Sequence, residues 1–446
     1  MLKSLYSLAL ASLLAAPAYA AELTAGPMAG PPTLRGVTLW LQADGASRAT
    51  VEYWPEGTQG AKRRTAPLAL TAEAQYAGHI TVFGLEPGRR YSYRVVLNDK
   101  PAAGGKVYGF ATQALWQWRT DAPDFTVLAG SCNYGNEPGY DRPGKPYGDR
   151  HLSIFKTMAA QKPDLTVWLG DNLYYREVDY DSPAGMAYRW QRDRSQGYLQ
   201  EILQVGGHAA IWDDHDYGPN DSNKSFVFKG EALKLQQRYW ANPSYGLPDV
   251  PGAFSTFSYN DADFFLLDNR WYRDDYRLTD SNRAMFGPAQ MNWLKNALLA
   301  STAPFKVIAG GSQMLGRSPR GDSWVDYPAE REDFLKFLAD AKIDGVIFLS
   351  GDVHRSELGK LERPGSYPLH DLTCSALTSG VYADEKLRNR PGVVPGTVVM
   401  GERNFCQLRF EGSKKERRLV LKVINDLGEQ KWEQVLEAQA LRHPKS

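Results

Sequence analysis

The carboxylates Asp171, Asp213, Asp214, Asp216 and Asp352 all lie just past apolar runs of the kind a buried strand makes. Phe125 to Ala129 leads to Gly130-Ser131-Cys132, Leu165 to Leu169 to Gly170-Asp171-Asn172-Leu173-Tyr174, and Ala209 to Trp212 to Asp213-Asp214-His215-Asp216. Phe305 to Ala309 leads to Gly310-Gly311-Ser312-Gln313, and Val346 to Leu349 to Ser350-Gly351-Asp352-Val353-His354. Open α/β sheets bind ligands outside the carboxyl ends of their strands, so these tips can face one crevice. Two carboxylates at about 4 Å repel by about 4 kcal/mol at an effective dielectric near 20. Such a group is either partly protonated or held by a cation. With His, Tyr, Gln and a thiolate alongside, the carboxylates form a ligand set for a first-row metal or calcium. The chain has neither a GxxxxGK[ST] loop nor a GxSxG elbow, so two common rival chemistries lack their parts.

The elements that must position these residues follow from the apolar rhythm. From Gly36 to Thr112, short alternating runs separated by Gly and Pro predict a small all-β sandwich. Within it, Leu85 to Val95 resembles the turn and following strand of fibronectin type III domains. Leu115 to Pro123 reads as a linker. Beyond Phe125, strand runs alternate with helical spacing over Leu152 to Ala160, Glu231 to Tyr239, Pro288 to Ala300 and Glu330 to Lys342, which is α/β alternation. Asn404 to Phe410 and Arg418 to Asn425 read as closing strands. The expected division is residues 1–20, 21–118 and 119–446.

Lys3, an apolar stretch from Leu5 to Ala16 and the small residues of Pro17-Ala18-Tyr19-Ala20 predict a cleaved signal peptide over residues 1–20, hence a periplasmic or secreted protein. No later run is long enough to cross a bilayer. The 3 cysteines cannot all pair with one another, so at least one needs another role. The expectation is a Cys374–Cys406 bridge with Cys132 as a metal ligand; three buried thiols are the alternative. Lys and Arg total 52 against 51 Asp and Glu, a net charge of +1, so the molecule carries no field that steers a polyanion and no nucleic acid partner is expected.

Gly170 to Tyr174, Trp212 to Asp216, Leu267-Asp268-Asn269-Arg270 and Ser350 to His354, in that order, resemble the motif series of PhoD-like alkaline phosphatases, within the calcineurin-like metallophosphoesterases. The resemblance spans roughly residues 125 to 410. It implies a four-layer αββα core of two packed mixed sheets flanked by helices, and a cluster of iron(III) with calcium; other divalent metals would suit the same residue types. On that resemblance Cys132 is the thiolate ligand, Asp171 the bridging carboxylate and Tyr174 the phenolate on iron. Asp214 binds the second metal, His215 stands at the phosphate and Asp216 orients it. Asp352 and His354 are the final metal-binding pair. Gln313 lies where relatives often carry a histidine ligand, which favours calcium on that side. Asp213 is either a ligand or an acceptor behind the ligands. Arg270 either grips a phosphate oxygen or forms a salt bridge to Asp268 or a neighbour. Asn220 is an amide near the metals or a turn residue, and His151 and His208 are structural.

The residue types make chemical sense on their own. Metals neutralise phosphoryl oxygens and lower the pKa of a bound water, which attacks phosphorus in line with the leaving group. A protonated His215 can supply the leaving oxygen with its proton. The expected function is a secreted phosphomonoesterase or phosphodiesterase acting on phosphate esters. The alternatives are a calcium-binding scaffold or adhesion protein without turnover, and an extracellular nuclease.

Overall fold

The computed structural model describes residues 21–58, 62–141, 143, 152–316 and 322–444. The expected signal peptide and His151 lie outside the described residues. Short apolar runs beyond Phe125 become buried strands because both of their faces find partners. Phe125, Val127 and Ala129 point into a core shared with a second sheet, whereas Leu128 points the other way, into a core shared with helices. Val167 and Trp168 divide in the same manner.

The first sheet has nine strands, in the order Gln430–Glu437, Arg418–Asn425, Asn404–Glu411, Phe125–Gly130, Leu165–Leu169, Gly207–Ile211, Leu23–Ala29, Gly36–Ala43 and Ala77–Phe83. Its centre is parallel and its flanks antiparallel. The second sheet has six strands, in the order Ser255–Tyr259, Ala262–Leu266, Phe305–Ala309, Val346–Ser350, Leu369–Thr373 and Glu357–Leu361. Helices Ile154–Ala160 and Lys229–Tyr239 cover the first sheet, and Pro288–Ala300 and Pro328–Asp340 pack on the second. These four helices match the spans expected from apolar spacing to within a few residues.

The strands of residues 21–118 divide between two sheets. Leu23–Ala29, Gly36–Ala43 and Ala77–Phe83 extend the nine-stranded sheet, joined to it by the parallel pairing of Ala29 with Gly207. Ser47–Pro55, Arg90–Leu97 and Tyr108–Ala111 belong to a separate sheet. Leu39, Leu41, Val51, Ile80, Val82, Tyr93 and Val95 form the core between them.

Helix Pro183–Arg194 was not legible as a periodic apolar pattern, because its buried face includes Arg189, Asp193 and Arg194 beside Met186 and Trp190. Arg189 is paired there with Asp179 at 2.8 Å and Glu137 at 2.7 Å. Buried charges of this kind persist only when paired.

Cys374 and Cys406 form a disulfide with Cα atoms 5.6 Å apart, and Cys132 is a buried free thiol. Cys374 follows a strand of the second sheet and Cys406 lies in one of the first, so the bond staples the two sheets together. Closing the loop across a separation of 32 residues contributes about 4 kcal/mol in the chain-entropy account. Among the described residues, no helix is long and apolar enough to cross a membrane.

Candidate metal centre

At the strand ends the backbone turns abruptly. Cys132, Asp171, Asp352 and His354 have φ of 63°, 50°, 71° and 54°, in the left-handed region that non-glycine residues rarely occupy. Each costs about 1 kcal/mol or more, a strain that concentrates at functional sites. Gly170, at φ 83°, is required on two counts: a Cβ there would lie 2.5 Å from the Cβ of Asp213. The loops after Leu165–Leu169 and Gly207–Ile211 can therefore touch.

Asp171 is the meeting point. Its Oδ2 accepts from the Tyr174 hydroxyl at 3.1 Å and from the Cys132 thiol at 3.5 Å, and its Oδ1 accepts the His215 N–H at 3.2 Å. Tyr174 Oη lies 3.4 Å from His354 Nε2. The His215 ring packs on the Tyr174 ring with centroids 4.1 Å apart. Ser375 ties two of these loops: its hydroxyl donates to Cys132 Sγ at 3.1 Å and accepts the His354 N–H at 3.1 Å. Ligand atoms converge within 4.8 Å in the groups Asp171, Asp214, His215; Asp213, Asp214, Asp352; and Asp214, Asp221, Asp322. Cys132, Asp171, Tyr174, Asp213, Asp214, His215, Asp352 and His354, from distant segments, are thus brought together.

The donor set fits a cation. Burial first, then Asp214, Asp213, Asp216 and Asp352, push the Asp171 carboxyl well above its ordinary range. Burial followed by Asp171 raises both the Cys132 thiol and the Tyr174 phenol. Burial opposes charge at Asp214 too, but His215, Arg270 and the Asp221 N–H hold its carboxyl below the usual range. Asp213 Oδ2 and Asn269 Oδ1 are buried acceptors with no hydrogen-bond partner among the described residues. Orphaned buried oxygens are rare and costly, and a bound cation satisfies both the orphans and the repulsion.

Burial also pushes Asp213 and Asp216 up to about 7 from 3.8. The metal-free fold then holds protons at these groups that the unfolded chain releases, so its stability falls as pH rises through that interval. Thermal melts in chelator should show the melting temperature dropping between acid and neutral pH, with calcium flattening the curve. A metal-free melting temperature indifferent to pH there contradicts this.

One expected role is corrected. Gln313 faces away from the carboxylates: its Nε2 donates to Glu357 at 2.7 Å and Thr373 at 3.0 Å, and its Oε1 accepts from Arg355 at 3.4 Å. A buried ionic network captures the amide. Arg270 is fully buried and paired with Asp213 at 2.6 Å and Asp322 at 3.0 Å, the salt bridge to neighbours that was one of its two expected roles. The Asp216 carboxylate accepts the N–H groups of Asp171 at 3.3 Å, Asn172 at 3.1 Å and Asp213 at 2.7 Å. It clamps the two ligand loops together.

Sequence reasoning missed Asn269, Asp322, Asp221 and Ser375. Asn269 donates to Asp213 Oδ1 at 2.7 Å and Ser312 Oγ at 2.8 Å, and its place in the Leu267 to Arg270 motif was the available signal. Asp322 has none, since only the fold brings it to Arg270. Asn220 is exposed and donates to Asp221 at 2.7 Å. His208, fully buried, accepts from Trp168 Nε1 at 3.1 Å, a packing role.

With the geometry established, comparisons with known proteins agree with it. A PhoD-like phosphatase family model matches residues 143–413. Alkaline phosphatase D of Bacillus subtilis (strain 168) is 29% identical over 328 residues, covering 62% of this chain and 53% of the relative, so the match spans about half of that protein's length. A solved structure of PhoD superposes with a TM-score of 0.74 at 22% identity, covering 97% of this chain and 94% of the other. Purple acid phosphatase PPD1 from yellow lupin (Lupinus luteus) seeds gives 0.67 at 14%, covering 92% and 74%. At these identities the two structures speak to the fold, a metallophosphoesterase-like arrangement of mixed sheets. The family model covers more than half of the sequence: the chain belongs to the PhoD-like phosphatase family.

Proposed function

We propose that this protein is a metal-dependent phosphoesterase that hydrolyses phosphate monoesters, diesters or both. The convergence of Asp171, Asp213, Asp214 and Asp352 with Cys132, Tyr174 and His354, one carboxylate oxygen of Asp213 having no hydrogen-bond partner among the described residues, carries this reading. Cys132, Asp171, Tyr174 and His354 would hold one cation, and Asp213, Asp214 and Asp352 a second. The anionic phenolate and thiolate suit iron(III), the carboxylates calcium. Bound there, such cations neutralise phosphoryl oxygens and acidify water.

The chain's own groups supply the rest. His215 is half-buried beside the carboxylates, its ring braced against Tyr174, where it can pass a proton to the departing oxygen. Asp216 keeps the loops of Asp171 and Asp213 in register through their N–H groups. Arg270 and Asn269 fix the Asp213 carboxylate in one orientation, so that it does not have to reorganise as charge develops.

Export through a signal peptide over residues 1–20, a fibronectin III-like sandwich over 21–118 and a catalytic unit over 119–446 complete the proposal. The oxidised Cys374–Cys406 pair supports an extracytoplasmic address. The test is hydrolysis of p-nitrophenyl phosphate and of its bis ester by metal-loaded protein, with metal analysis and a visible spectrum. A phenolate or thiolate on iron(III) gives colour. Metal-loaded protein that cleaves neither ester overturns the reading.

A further inference from the structure

A row of rings leads from the carboxylate cluster to the surface. His215 packs on Tyr174, the Tyr174 hydroxyl meets His354, and the His354 ring lies parallel to Tyr382, centroids 5.5 Å apart and planes within 9°. From Tyr174 outward exposure rises: Tyr174 is buried, His354 is intermediate, and Tyr382 is 64% exposed. Isolated exposed aromatics are ordinary on protein surfaces. This one is distinguished by where the backbone holds it.

The segment carrying Tyr382 is fastened on both sides. Before it, the N–H groups of Thr378 and Ser379 donate to the Cys132 carbonyl at 3.2 and 3.1 Å, and Val381 packs on Cys132, Tyr134, Tyr174 and Ala376. After it, the Gly401 N–H donates to the Tyr382 carbonyl at 3.0 Å. The loop is thus anchored on the same residues that build the metal centre, and it fixes an exposed phenol ring directly above His354. Tyr382 thus forms the exposed outer end of a row of rings that begins at the carboxylate cluster.

Resting on the phosphoesterase reading above, we propose that Tyr382 is a specificity residue that stacks on an aromatic leaving group, so that aryl or nucleobase-bearing phosphate esters are preferred over aliphatic ones. Stacking needs a flat partner and no hydrogen bond, so the ring matters and its hydroxyl does not.

The experiment compares the metal-loaded protein with Tyr382→Ala and Tyr382→Phe on phenyl phosphate and glycerol phosphate, with metal content checked in each. Tyr382→Ala should raise KM for phenyl phosphate roughly fivefold and leave its kcat and both constants for glycerol phosphate unchanged, while Tyr382→Phe behaves as the parent. An equal loss on both esters, the mark of mere support for His354, overturns the proposal, as does no change. If the parent hydrolyses neither of these monoesters nor bis(p-nitrophenyl) phosphate, the phosphoesterase reading fails. Calorimetric binding of phenylphosphonate and methylphosphonate then still decides the proposal: a phenyl preference abolished by Tyr382→Ala supports it, and one that survives the substitution, or is absent from the parent, sinks it.

Discussion

Asp171→Asn protein is expected to emerge with its metal lost and phosphate ester hydrolysis reduced at least about 10^3-fold, the order that several kcal/mol of Lewis-acid stabilisation represents. Asparagine keeps the shape of the side chain and tolerates the left-handed backbone at φ 50°, so the fold has little cause to object. What changes is the charge where the thiol, the phenol and the His215 N–H all converge. A second consequence separates this from damage. Without metal, Asp171 is pressed by burial and by Asp214, Asp213, Asp216 and Asp352. Removing its charge relieves that repulsion, so in chelator the variant should melt above the parent, and in metal below it. Metal analysis and paired melts check both. Full metal content with parental activity removes Asp171 from the centre.

His215→Ala is expected to keep its metal and lose turnover. The hydrogen bonds His215 donates to Asp171 and Asp214 come from its backbone N–H, at 3.2 and 3.0 Å, and alanine retains them. The lost group is the imidazole, and general acid catalysis is typically worth about 10^2 to 10^4-fold. The loss should depend on the leaving group. An alkoxide needs the proton and should suffer the full reduction, whereas p-nitrophenolate departs without one and should suffer far less. Steady-state rates on glycerol phosphate and p-nitrophenyl phosphate make the comparison. An unchanged kcat on the alkyl ester removes His215 from the reaction, and an equal loss on both esters points to phosphate binding instead.

Tyr174 shows how much of the site was readable. Its spacing from Asp171, a few residues beyond an apolar run, marked it as a neighbour of the cluster, and its hydroxyl indeed bonds that carboxylate. Strand ends are readable because buried parallel strands are short apolar runs, and the polar residues that stop them must surface together. Helices such as Pro288–Ala300 were readable because their buried face is apolar. Pro183–Arg194 was not, because part of its buried face is charged, and a charge looks solvent-seeking until its partners are known.

The residue types at the strand ends, their order along the chain and the family they mark were determined by the sequence by itself. Which of those side chains turn toward the cluster was decided only by the tertiary structure. Gln313 stands at a strand end like the rest, yet Glu357 captures it, whereas Arg270 reaches the cluster at Asp213 and is held there by Asp322. Asp216 stands two residues from a cluster member and spends its oxygens on backbone N–H groups. The physical reason is that a buried polar group goes to whichever partner satisfies it, and partners such as Asp322 and Glu357 arrive from segments far away in the chain. Local spacing encodes where a side chain begins, whereas its orientation depends on hydrogen bonds that exist only once the sheets have packed.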